Sequence, residues 1–163
     1  MKGKVLLVLA IAAGAIFLGS STAAATAPTG GFKATLLVKG AMANPVSIEG
    51  LGIHFETEGP TDVITQVVDF PAKSGSGWHA HPGLVIVRVK SGTIVFHFGC
   101  RAETFVAGQS FTEPPLEAGL AENVSDAPAQ SYATLVVPAG RAARIDTPAP
   151  ICDGPNGGDG GDR

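Results

Sequence analysis

The chain has 163 residues, 15% of them charged, and a formal net charge of −3; its mean hydropathy of +0.28 needs a local cause. Residues 1–25 hold 17 of the apolar residues, and the remainder is roughly 41% apolar, an ordinary value for one domain able to bury a core without a metal or a partner subunit. Past that segment nine basic face 14 acidic residues with no Lys/Arg cluster, which excludes a binder of nucleic-acid backbones.

Lys2 and Lys4 precede an uncharged run of 14 residues, Val5 to Leu18, and then the small residues Ala23-Ala24-Ala25-Thr26-Ala27. These are the three parts of a secretory signal peptide over residues 1–27, with cleavage expected after Ala25 or Ala27. The run is shorter than the about 20 apolar residues that span a bilayer, so the mature chain is expected off the membrane, secreted or periplasmic. In that oxidising setting Cys100 and Cys152 are expected to pair as a disulfide, stabilising the fold by at most about 4 kcal/mol through loop closure. Neither cysteine neighbours a His or forms a C-x-x-C, which argues against a catalytic thiol.

The 22 Gly and 12 Pro favour short elements joined by turns. In chain order, strands are expected at Lys33–Val38, Gly50–Glu56 and Asp62–Phe70. Leu84–Val89 and Thr93–Phe98 flank Lys90-Ser91-Gly92 as a hairpin. Glu103–Val106, Ser110–Thr112 and Ser131–Val137 follow. No stretch sustains a 3.6-residue period, so the class is all-β, a sandwich or barrel over residues 28–150. The Gly/Asp-rich segment 151–163 reads as a disordered tail.

The chemistry concentrates in Gly75-Ser76-Gly77-Trp78-His79-Ala80-His81-Pro82-Gly83. In extended backbone His79 and His81 point to one face, because side chains alternate with period two. Two converging imidazoles grip a metal when further ligands arrive from elsewhere; as loop histidines they would only bond carbonyls. Glu113, followed by Pro114-Pro115, reads as a turn residue and not as an acid catalyst. His54 and His97 read as surface or hydrogen-bonded core residues, and Glu122 as solvated.

These residues make the chain resemble the cupin superfamily of jelly-roll β-barrels, whose motifs are G-x5-H-x-H-x3,4-E-x6-G and G-x5-P-x-G-x2-H-x3-N. His79, His81 and Gly92 fall at the spacing of the first, and Gly108, Pro114 and Asn123 at that of the second. The resemblance covers residues 62–140 and implies a cupin-like jelly roll with a divalent metal (Fe, Mn, Zn, Ni or Cu) at His79 and His81. It also marks departures: Val85 stands at the carboxylate position, Gly119 at the second-motif histidine, and Lys73 and Leu116 replace motif glycines. Glu117 shares the parity of position 119 and is the candidate replacement ligand. Trp78, Val85 and Asn123 are the expected pocket residues.

Three functions stay open on this reading: an exported cupin binding a small ligand or metal, a metal-dependent oxygenase or isomerase, and a module with a vacant site. The resemblance further implies a homodimer, with Thr35–Val38 as the candidate edge.

Overall fold

Along Thr61–Phe70 the even-numbered residues and along Ala129–Pro138 the odd-numbered ones turn to one side and, apart from Asp62 and Gln66, are apolar or small; the two segments pair antiparallel with Leu135 opposite Ile64 and Ser131 opposite Val68. This period-two alternation is what a sheet packed on one face requires. The computed structural model describes residues 24–152. Its strands are β1 (Lys33–Met42), β2 (Val46–Gly50), β3 (Ile53–Thr57), β4 (Thr61–Phe70), β5 (Ser74–Gly75), β6 (His79–Ala80) and β7 (Leu84–Ser91). They continue as β8 (Thr93–Phe98), β9 (Arg101–Val106), β10 (Ser110–Glu113), β11 (Gly119–Asn123), β12 (Ala129–Pro138) and β13 (Ile145–Asp146). One sheet runs β1-β4-β12-β7-β10 and the other β13-β6-β11-β8-β9, with β5 joined to β11 and β2-β3 forming a separate hairpin. The core is filled by Ile64, Val85, Val87 and Leu135 from the first sheet and Ile94 and Phe96 from the second.

The all-β expectation holds, but two local expectations do not. β7 and β8 follow one another yet form no hairpin, since each lies in a different sheet. Gly92 makes the change of sheet: its φ is 74°, and a Cβ there would come within 2.7 Å of that of Ala129. The span Gly50–Glu56 is broken by Leu51 and Gly52, both at positive φ, into the β2–β3 turn. The hairpin instead formed by β8 runs to β9 through Gly99 and Cys100.

The motif turns are legible in the backbone. Gly92 (74°) and Gly108 (91°) have the positive φ that favours glycine, and Lys73 (56°) and Leu116 (61°), which replace motif glycines, hold the same left-handed conformation. A side chain in that region costs about 1–2 kcal/mol, so the fold imposes these turns even where glycine is gone.

Cys100 and Cys152 are disulfide-bonded across a sequence separation of 52, as expected. The bond fastens a strap, residues 143–147, along the second sheet: Ile145 pairs with Ala80, Asp146 with His79, and the Thr147 amide donates to Trp78 O at 3.1 Å. The expected leader and tail fall largely outside the described residues. Of the positions near the expected cleavage, Ala25 bridges to Pro148, and Thr26 Oγ1 accepts from the Trp78 amide at 2.6 Å. β1 is an edge strand with Leu36, Leu37 and Val38 exposed. Among the described residues no helix is long and apolar enough to cross a membrane.

Candidate metal centre

Two short ladders aim the histidines. β6 is held between Gly119 of β11 and Asp146 of β13, both paired with His79. The preceding turn is tight: Gly77 has φ 69°, and a Cβ on it would come within 2.3 Å of Thr26 O. Both imidazoles are buried, at 6% and 8% exposure. His79 Nδ1 donates to Gly77 O at 2.9 Å, and His81 Nδ1 donates to Ala143 O on the strap. Carbonyl acceptors at both Nδ1 atoms put the lone pair on Nε2, which is how second partners orient metal-binding imidazoles.

The third donor is Glu113, not a turn residue but the buried last residue of β10. Its Oε2 stands 3.8 Å from His79 Nε2 and 3.4 Å from His81 Nε2, and ligand atoms of the three residues all lie within 4.8 Å of one another. Donors about 2.1 Å from one ion sit about 3–3.5 Å apart, so small side-chain movements suffice for the group to close on a divalent ion. In the β7–β10 ladder Glu113 is directly opposite Val85. The residue that sequence reasoning passed over was marked by its parity with Phe111, which also faces inward.

Burial pushes the His79 imidazole pKa down from 6.5 to about 4, Arg144 adding to the effect while Glu113 opposes it. His79 is therefore neutral at pH 7, the state a metal ligand needs. As pH falls from 6.5 to 4, the unfolded chain takes up a proton at this histidine that the folded chain does not, so the metal-free protein loses stability across that window. Asp62 is held below its ordinary value by the Lys39 ammonium, 2.8 Å away, and the Gly140 amide. Its contribution is present above pH 3.8 and is lost only below it, so the two effects separate. Melting temperatures after chelator treatment are expected to fall from pH 6.5 to 4, and less steeply in His79→Gln; equal slopes would refute the assignment.

The three donors border a cavity of about 340 Å³ with mainly apolar walls, among them Val68, Phe70, Val85, Val87, Phe111 and Leu135. Of the expected pocket residues Val85 lines it. Trp78 lies edge-on to His97 with ring centroids 6.0 Å apart and is not among the lining residues. Asn123 is a structural clamp: its Nδ2 donates to Phe70 O, Pro71 O and Ala127 O, and its Oδ1 accepts from the Ser125 amide. Glu117 is exposed in the β10–β11 connection, outside the converging group. At Gly119 a Cβ would meet the Phe96 ring at 2.5 Å, so the space beside His79 is already filled. His97 and Glu122 bond each other at 2.9 Å, and exposed His54 lies 3.6 Å from Glu56.

No protein-family model matches the sequence, and no curated protein matches it. Among solved structures, an uncharacterized protein with a double-stranded β-helix domain from Klebsiella pneumoniae matches at TM-score 0.46 and 19% identity, over 64% of this chain and 86% of that one. A cupin superfamily protein from Desulfitobacterium hafniense matches at 0.43 and 9%, over 61% and 78%. An oxalate oxidase in complex with the substrate analogue glycolate matches at 0.43 and 22%, over 45% and 41%, so the chain spans about two-fifths of that protein. By its two facing antiparallel sheets, the left-handed turns at all four motif positions and the inward-facing imidazoles, the chain is a cupin-like jelly roll.

Proposed function

We propose that this chain is an exported single-domain protein that binds one divalent transition-metal ion through His79, His81 and Glu113 and takes a small ligand into the adjoining cavity. One observation carries the reading: three buried donors converge while both imidazole Nδ1 atoms are occupied by carbonyls. Two imidazoles and a carboxylate suit Fe, Mn, Zn, Ni or Cu and leave coordination positions open. A bound ion would supply Lewis acidity at those positions. The chain's own part is to hold the imidazoles in one tautomer through Gly77 and Ala143 and to keep water from the site with apolar walls. Convergence of the triad favours the ligand-binding and oxygenase or isomerase readings over the vacant-site one.

Export is supported by the leader in the sequence and by a disulfide of the kind that persists in oxidising compartments. Of the two cleavage positions, the one after Ala25 keeps the Thr26 contacts with Trp78 and Thr147. Purified from residue 26 without chelators, the mature chain is expected to carry near-stoichiometric metal by elemental analysis, and His79→Ala and His81→Ala to carry none. A wild-type chain that takes up no metal even on titration would overturn the proposal.

A further inference from the structure

The cavity holds polar groups for which the metal has no use. Ser131 of β12 is 1% exposed, lines the cavity, and its Oγ has no hydrogen-bond partner among the described residues. A buried hydroxyl without a partner is destabilising, and one that borders a cavity is available to an occupant. Its place is set by register. Leu135 shares a rung with Val85, and Val85 with Glu113, whereas Ser131 lies four residues further along β12, roughly 13 Å by the rise of a strand.

At the metal end the cavity is bordered by Arg144 from the strap. Its Nε donates to Asp146 Oδ1 at 2.6 Å and its Nη2 to Ser76 O at 2.7 Å; neither bond uses Nη1. A divalent ion, Arg144, Glu113 and Asp146 together leave one uncompensated positive charge, which a single anionic group would neutralise. Lys33, exposed and also lining the cavity, lies by register beside the Ser131 end, since its neighbour Ala34 pairs with Val68 and Val68 with Ser131. Between the two ends the wall is mainly apolar, through Val68, Val87, Phe111 and Ala133, with the polar side chain of Gln66 on the rung of Ala133. The volume of about 340 Å³ lies at the small end of ligand pockets.

We infer that the cavity takes a small monocarboxylic acid with an apolar body and a hydrogen-bonding atom at its far end, the carboxylate at Arg144 and the metal, the far atom at Ser131 Oγ. The inference rests on the metal reading of His79, His81 and Glu113 and specifies the ligand of that site.

The test uses the mature chain loaded with zinc, its content checked by elemental analysis, and calorimetric titration with three probe series of four to eight carbons: unbranched ω-hydroxy acids, the unsubstituted acids and the matching alcohols. Acids are expected to bind and alcohols not. One chain length of hydroxy acid should bind about tenfold tighter than its unsubstituted counterpart, a gain within the range of one well-made hydrogen bond. Ser131→Ala, which removes an unpaired buried hydroxyl and so is expected to fold, should erase that gain and leave the plain acids unaffected. Arg144→Met, compared at equal zinc loading, should weaken every acid by about tenfold or more, and Arg144→Lys should restore part of the loss. Alcohols binding as tightly as acids, an end-group preference that survives Ser131→Ala, or a zinc-loaded chain that binds no acid would each overturn the inference while leaving the metal reading intact. A chain that takes up no zinc fails the metal reading instead. The acid series on that metal-free chain then decides separately, Arg144-dependent binding supporting the acid assignment and its absence refuting it.

Discussion

Replacing Glu113 by Val is expected to lower metal affinity by more than about 100-fold, and adding Val85→Glu to the same chain is expected to recover most of it. Loss of a partner one step removed from a metal typically costs about 10–100-fold, and Glu113 is itself one of the three donors. The recovery follows from register: positions 85 and 113 are directly opposed in the β7–β10 ladder, and residues so placed have Cβ atoms about 4.5–5.5 Å apart. A carboxylate on either strand therefore reaches the same point beside the imidazoles. The resemblance to cupins puts the carboxylate at position 85; in this chain it stands one strand over. Val85→Glu alone would crowd two carboxylates into a buried site, disfavouring ionisation of one of them and destabilising the metal-free fold. Zinc competition against a chromophoric chelator measures all three variants. Glu113→Val binding zinc as tightly as wild type would show that the carboxylate is not a ligand.

Opening the Cys100–Cys152 bond should act on both stability and the site. The crosslink spans a separation of 52 residues, so its loss is expected to cost up to about 4 kcal/mol in the chain-entropy account. It also frees the end of the strap. Ala143 O accepts from His81 Nδ1, and Arg144 donates to Ser76 O beside His79; once the strap is held only by these bonds and its short β13 pairing, the imidazoles lose a fixed orientation. We expect Cys100→Ser/Cys152→Ser to unfold at lower denaturant and to bind zinc about tenfold more weakly, the effect of disturbing a metal's second partners. An unfolding midpoint and a zinc affinity both equal to wild type would remove the strap from the account.

What was legible in the sequence is what depends on near neighbours. The H-x-H pair declared its common face through strand alternation, the two cysteines had one possible partner each, and the turns at Gly92 and Gly108 are glycines at positive φ. The misread positions depend on distant pairing. β7 and β8 flank a tight turn in the manner of a hairpin, yet each finds better partners in opposite sheets, β12 for one and β11 for the other. Glu113 sits before Pro114-Pro115, which suggests a turn; only its pairing with β7 brings it inward opposite Val85. Arg144 follows the last long strand in a segment with no periodicity, and reaches the cavity because β13 pairs with β6. Glu117 had the parity of Gly119 but lies in the exposed connection before it, where parity has no meaning.

The central claim is that two imidazoles and one carboxylate of this chain hold a single ion. X-ray absorption at the metal edge of the zinc-loaded mature chain tests it most directly. A first shell of nitrogen and oxygen at about 2.0–2.2 Å is expected, with the outer-shell scattering of two imidazole rings, and loss of that signature in His79→Ala/His81→Ala. A shell of oxygen donors alone, with no imidazole scattering in the wild-type chain, would contradict it.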